Sequence, residues 1–165
     1  MRDPERFDWF VKQRQGQLLR LAWSLTGERE AAADLAQEAL VRLWRAWDRL
    51  DADPSWPYLR RILVSVFLTS KRRRWHGEQP ADDVDRPAGV DVAGQVATEE
   101  LIAAWLATLP PRQRAAVVLR YLDDLSVEAT AELLGCQPGT VKSQTARALD
   151  HLRAALSAVT PQEQP

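Results

Sequence analysis

The chain has 165 residues, 45% of them hydrophobic, and its 22 basic and 23 acidic side chains leave a formal net charge of −1. That length fits one ordinary domain or two small ones, and so balanced a charge does not by itself announce nucleic acid. A single cysteine, Cys136, excludes an intramolecular disulfide; without an apolar run near 18 residues or an apolar leader, the expectation is a cytoplasmic protein, neither secreted nor inserted in a membrane.

The charge is unevenly distributed. Residues 1–75 hold 15 Lys/Arg against 10 Asp/Glu, residues 76–97 one against five, and residues 98–165 six against eight. A basic front half tied to an acidic middle needs an explanation.

In chain order, Phe7, Phe10, Val11, Leu18, Leu21, Ala22 and Leu25 recur at helical spacing and predict a first helix, which Thr26-Gly27 ends. A second stripe, Ala32, Ala36, Leu40, Leu43, Trp44 and Trp47, runs to a break at Asp51 to Pro54. On this helix Asp34, Gln37 and Glu38 precede Arg42 and Arg45. That order complements the helix dipole and allows a Glu38–Arg42 pair, so a solvated helix face accounts for the charges. Ser55 as N-cap and Pro57 in the first turn open a third helix with the stripe Leu59, Ile62, Leu63, Val66 and Phe67. Opposite that stripe lie Arg61, Val64, Ser65, Leu68, Arg72 and Trp75, and the helix ends Lys71-Arg72-Arg73-Arg74-Trp75. Cations among exposed apolar and aromatic groups suit single-stranded nucleic acid. A basic run complementing a helix C-terminus is the plainer alternative.

Residues 76–97 lack aromatics and are rich in Pro, Gly and Asp, the composition of a flexible linker. Thr98-Glu99-Glu100 then caps a helix through Trp105 and Leu109, and Pro110-Pro111 starts another reaching Leu122. Ser126 starts the next and Pro138 the last, which runs to about Leu156 before a frayed tail from Ser157. No alternating strand pattern appears. The predicted fold is all-α, two small helical domains on an acidic tether.

The run from Leu133 to Ser143 has the form of a helix-turn-helix corner. Gly135 can take the positive φ that leaves a helix, Cys136 offers a small apolar side chain, and Pro138 suits a first helical turn. Thr130 stands where such motifs usually carry a larger apolar residue. On the last helix Val141, Thr145, Ala148, Leu149, Leu152 and Leu156 share one side and are expected to face the core. Thr140, Ser143 and Arg147 lie opposite, with Lys142 beside them. Such donors suit phosphates and base edges, and an arginine can grip guanine bidentately. A solvated polar face is again the alternative. No catalytic set competes: His76 and His151 lack metal-ligand spacing, and no nucleotide fingerprint occurs. No catalytic residue, metal or cofactor is expected.

Five motifs in order carry a resemblance that spans nearly the whole chain. They are Asp34-Leu35-Ala36-Gln37-Glu38 followed by Trp44, the basic third helix, the acidic linker, Leu109-Pro110-Pro111-Arg112-Gln113-Arg114, and Gly139-Thr140-Val141-Lys142-Ser143. Together they resemble the extracytoplasmic-function sigma factors, and Gln144-Thr145-Ala146-Arg147 with the Trp-rich front resembles the SigE-like group common in actinobacteria. The resemblance implies that residues 1–75 are sigma region 2, which docks on core RNA polymerase and recognises and melts the −10 element. Residues 76–97 would be the linker, 98–156 sigma region 4, which reads the −35 element as duplex and touches the β flap, and 157–165 the tail. It further implies that Asp34, Gln37, Glu38 and Trp44 dock on the β′ clamp helices. Arg61, Ser65, Leu68, Lys71, Arg72 and Trp75 would hold the single-stranded −10 element. Thr140, Lys142, Ser143, Gln144 and Arg147 would read the −35 element. An anti-sigma factor is a further implied partner. Ser65 stands where the family commonly has Asn, and Gln144 where the wider family often has Arg. The rival reading is a conventional helix-turn-helix regulator acting without polymerase docking, which leaves the first 75 residues unused. A purely protein-binding regulator is disfavoured by the outward Lys142 and Arg147.

Overall fold

In the computed structural model, the described residues are 3–50, 54–77 and 95–159, with side chains described for 3–50, 54–70 and 98–158. The chain divides into two compact units, Met1–Gln79 and Pro80–Pro165. Every regular element among the described residues is helical.

Unit 1 contains α1 (Pro4–Thr26), α2 (Arg29–Ala46) and α3 (Trp56–Gly77). Local signals set the ends of α1. The Asp3 carboxylate accepts from the N–H groups of Glu5 and Arg6, Pro4 opens the first turn, and Gly27 closes the helix at φ 75°. Phe10, Leu18, Leu21, Ala22 and Leu25 form its buried stripe. Against it α2 buries Ala32, Leu35, Ala36, Ala39 and Leu43; alanine at three of these positions lets the helix axes approach closely. Leu40 is only half-buried. A 3-10 turn at Trp47–Arg49 finishes α2. Here the Phe7 ring meets Trp44 and Trp47 edge-on, with centroids 4.9 and 5.0 Å away, and Arg6 lies over Trp47.

The third helix departs from expectation at Val64. Its side chain is fully buried, not on the outer face, and Leu68 is half-buried. The cause is that α3 packs against both α1 and α2. From Ile62 round to Val64 the covered arc spans about 200° at 100° per residue, far wider than one neighbour would impose.

Unit 2 contains α4 (Gln95–Ala107), α5 (Pro111–Val117), α6 (Val127–Leu134) and α7 (Pro138–Val159). Helix α4 begins three residues before Thr98, so 95–97 are helical, as are His76 and Gly77 at the end of α3. The rest of the expected linker lies outside the described residues. The helix from Pro111 does reach Leu122, but its last five residues, Val118–Leu122, form a π turn. The Asp123 N–H donates to the Val118 carbonyl at 3.0 Å, one residue further back than an α-helix allows. Beyond it Asp124 takes φ 56°. Ser126 caps α6 as expected, accepting from the Ala129 N–H at 3.0 Å. Thr130 is buried without penalty because its hydroxyl donates to the Ser126 carbonyl at 2.8 Å.

Two further corrections concern α7. Val141, Thr145 and Ala148 are buried, whereas Leu149 and Leu152 are half-buried and Leu156 is 47% exposed. These three line an open apolar hollow of about 240 Å³ with Ile102 and Trp105 of α4 and Tyr121 and Leu122 of the π turn. No described element of the unit closes that hollow, and its walls are partly exposed. The helix also runs on through Val159, so Ser157 and Ala158 are helical rather than frayed; 160–165 lie outside the described residues.

Candidate functional site

The corner that presents α7 is built from short-range bonds. Gly135 adopts φ 63°, its N–H donates to the Glu132 carbonyl, and the Cys136 N–H reaches back to the Ala131 carbonyl at 3.0 Å. This is the six-to-one closure of a helix that stops at a left-handed residue. Cys136 is half-buried. A Cβ at Gly135 would meet nothing within 4 Å. The cost of Gly135→Ala is therefore backbone strain alone, about 1–2 kcal/mol, and Gly135→Asn should recover part of it. Urea unfolding of both variants checks this; a stability equal to wild type for the alanine variant would contradict it.

From that corner α7 carries Thr140, Lys142, Ser143 and Arg147 outward, all exposed, with Gln144 half-buried beside them. The Ser143 hydroxyl donates to the Thr140 carbonyl at 3.0 Å, which leaves its oxygen able to accept. Among the described residues neither Lys142 nor Arg147 joins an ion pair. Two cations and two hydroxyls thus stand exposed along the first half of α7, over an arc of about 160° at 100° per residue, a surface suited to the phosphates and base edges of a duplex.

On α3, Arg61 and Ser65 are exposed and Leu68 half-buried. Lys71, Arg72 and Trp75 belong to the backbone of α3, but their side chains lie outside the described residues. On α2, Asp34, Gln37 and Glu38 are exposed along one side, and Glu38 accepts from Arg42 Nε at 3.0 Å in the expected exposed pair. Trp44 is half-buried against Phe7. It also lines a shallow, mostly apolar hollow of about 370 Å³ with Pro4, Phe7, Gln37, Leu40 and Val41. The acidic side of α2 therefore borders an apolar recess, a combination that fits a protein partner.

Three arginines of unit 2 had no role in the sequence reading. Arg114 is buried and donates to the carbonyls of Leu106 (2.7 Å), Ala107 (3.0 Å) and Leu109 (2.8 Å), capping the end of α4. Burial pulls its pKa down to about 10, which still leaves it charged at neutral pH. Arg112 donates to the Leu134 carbonyl and Arg120 to that of Leu125. A faint signal existed: Arg114 immediately precedes the apolar run Ala115–Leu119, which marks its side of the helix as inward.

Comparison with known proteins decides what these surfaces belong to. The sigma-70 region 2 family matches residues 10–77 and the sigma-70 region 4 family residues 99–152. The RNA polymerase sigma-E factor of Streptomyces avermitilis is 38% identical over 91% of this chain and 84% of its own length. ECF RNA polymerase sigma factor SigM of Mycobacterium tuberculosis is 38% identical over 88% of this chain and 74% of its own. The chain belongs to the extracytoplasmic-function sigma factors. The fold agrees: the sigma factor RpoE of Bartonella quintana, solved with the anti-sigma factor NepR, has a TM-score of 0.69 and 26% identity over 93% of this chain and 98% of its own. This sigma factor is thus a transcription initiation factor that directs RNA polymerase to promoter DNA. The rival without polymerase docking is not favoured, because region 2 matches residues 10–77, nearly all of the segment it left unused.

Proposed function

We propose that this sigma factor divides its work among the four surfaces described. The exposed side of α2, with Asp34, Gln37, Glu38 and Trp44, docks on the β′ clamp helices. The outer side of α3, from Arg61 and Ser65 through Leu68 to Lys71, Arg72 and Trp75, grips the melted −10 strand. Thr140, Lys142, Ser143, Gln144 and Arg147 read the −35 duplex, and the hollow of unit 2 receives the β flap. The protein works in the cytoplasm with its polymerase; no described helix is long and apolar enough to cross a membrane. An anti-sigma factor is a further partner, by analogy with the relative solved in complex with one. It acts without catalytic chemistry of its own.

The observation that carries this reading is the outward α7 face, where Lys142 and Arg147 have no acidic partner among the described residues and stand beside a tight corner. Run-off transcription with purified core polymerase is the direct test. Promoter-specific transcripts should appear only when the chain is added, and their absence would refute it.

The same assay separates base reading from phosphate holding. Arg147→Ala should cost roughly 1–3 kcal/mol at a −35 element selected by the wild-type holoenzyme and relax preference at one position. Lys142→Ala should weaken all sequences similarly and lower the salt slope by about one. If Arg147→Ala keeps the wild-type sequence preference, it is not a base reader.

A further inference from the structure

We infer that Arg112 is a positioning residue for −35 recognition: it ties the C-terminal end of α6 to α5 and so holds the corner from which α7 emerges. Its Nη1 and Nη2 both donate to the Leu134 carbonyl, at 3.0 and 3.2 Å. Leu134 is the last residue of α6, and Gly135 turns left-handed directly after it.

A helix end leaves its last carbonyls without partners from its own helix. The corner's own amides satisfy two of them, those of Ala131 and Glu132. Arg112, 22 residues earlier in the chain, reaches the carbonyl of Leu134. Only residues 135–137 separate that anchored carbonyl from α7. The base of the tie is itself held, because Arg114 on the same helix grips three carbonyls, two in the last turn of α4 and that of Leu109 just beyond it.

The geometry makes the tie matter for reading. Lys142 and Arg147 lie four and nine residues into α7, roughly 6 and 14 Å along a rigid helix. A shift at the corner travels to them undiminished, and recognition sites tolerate only about 0.5 Å of misplacement. Arg112 is exposed, so its removal spares the packed core and acts on alignment.

The inference rests on the reading of α7 as the −35 reader, and its test keeps the two apart. A promoter is selected by wild-type holoenzyme from a library randomised at −35 and −10. Run-off transcription is then compared between this promoter and a copy with a scrambled −35 element. Arg112→Ala in the full-length chain should lower the ratio of the two roughly fivefold or more. It should leave transcription from a pre-melted −10 bubble template without a −35 element unchanged. Arg112→Lys, with donors at similar reach, should restore part of the ratio.

An unchanged ratio with Arg112→Ala overturns the inference while leaving α7 as the reader. So does an equal weakening of both promoters with a salt slope reduced by about one, the mark of a direct phosphate contact. Loss of the ratio together with a marked loss of helical circular dichroism in the full-length chain would mean that unit 2 had unfolded, and it too overturns the inference. A wild-type holoenzyme that ignores the −35 element removes the reading of α7 and the inference with it.

Discussion

Arg114→Ala should strongly destabilise unit 2 while leaving unit 1 unaffected. The guanidinium is buried and satisfies three carbonyls at the end of α4. Truncation leaves a cavity and strands those acceptors, at about 1–3 kcal/mol for each one left buried and unsatisfied. Small domains hold only about 5–15 kcal/mol in total. Lysine should rescue little, since one ammonium cannot span three divergent acceptors as the fork of arginine does. Two probes separate the units. Six of the seven tryptophans lie in unit 1, so fluorescence follows that unit, while Cys136 reports unit 2 through thiol reactivity in urea. A fall in the Cys136 midpoint with unchanged fluorescence is the expected result. An unmoved Cys136 midpoint would show that the capping bonds contribute nothing net.

Glu38→Lys should weaken binding to core polymerase by roughly tenfold or more, which is about 1.4 kcal/mol per decade. Asp34, Gln37 and Glu38 share the exposed side of α2 next to the Trp44 hollow. If that side meets clamp cations, reversing a charge at its centre converts attraction into repulsion, and buried interfacial charges are worth far more than surface ones. The fold should not notice. The exposed Glu38–Arg42 pair is worth only about 0.3–0.5 kcal/mol. Arg42→Ala is the control: it releases Glu38 from its neighbour and should leave core affinity equal or improved. An unchanged affinity for Glu38→Lys in a core titration would return α2 to a solvated helix face.

The helix ends were legible because their causes are local. Gly27, Ser126, Gly135 and Pro138 each act within one turn of chain, so residue type and spacing carry the information. The order of motifs from Asp34 to Ser143 likewise pointed to the family before any coordinates. What the sequence concealed depends on which elements come to cover which. Val64 is buried because α3 has two neighbours and not one. Leu156 is 47% exposed because no described element closes the hollow between α4, the π turn and α7, although it lies on the same side of α7 as buried Val141. Arg112 and Arg114 look like surface cations in a polar motif. Their roles exist only where the chain brings the ends of α6 and α4 within reach. Spacing reports which residues share a helical face; only packing decides how wide a face is covered and which distant carbonyl a long side chain meets.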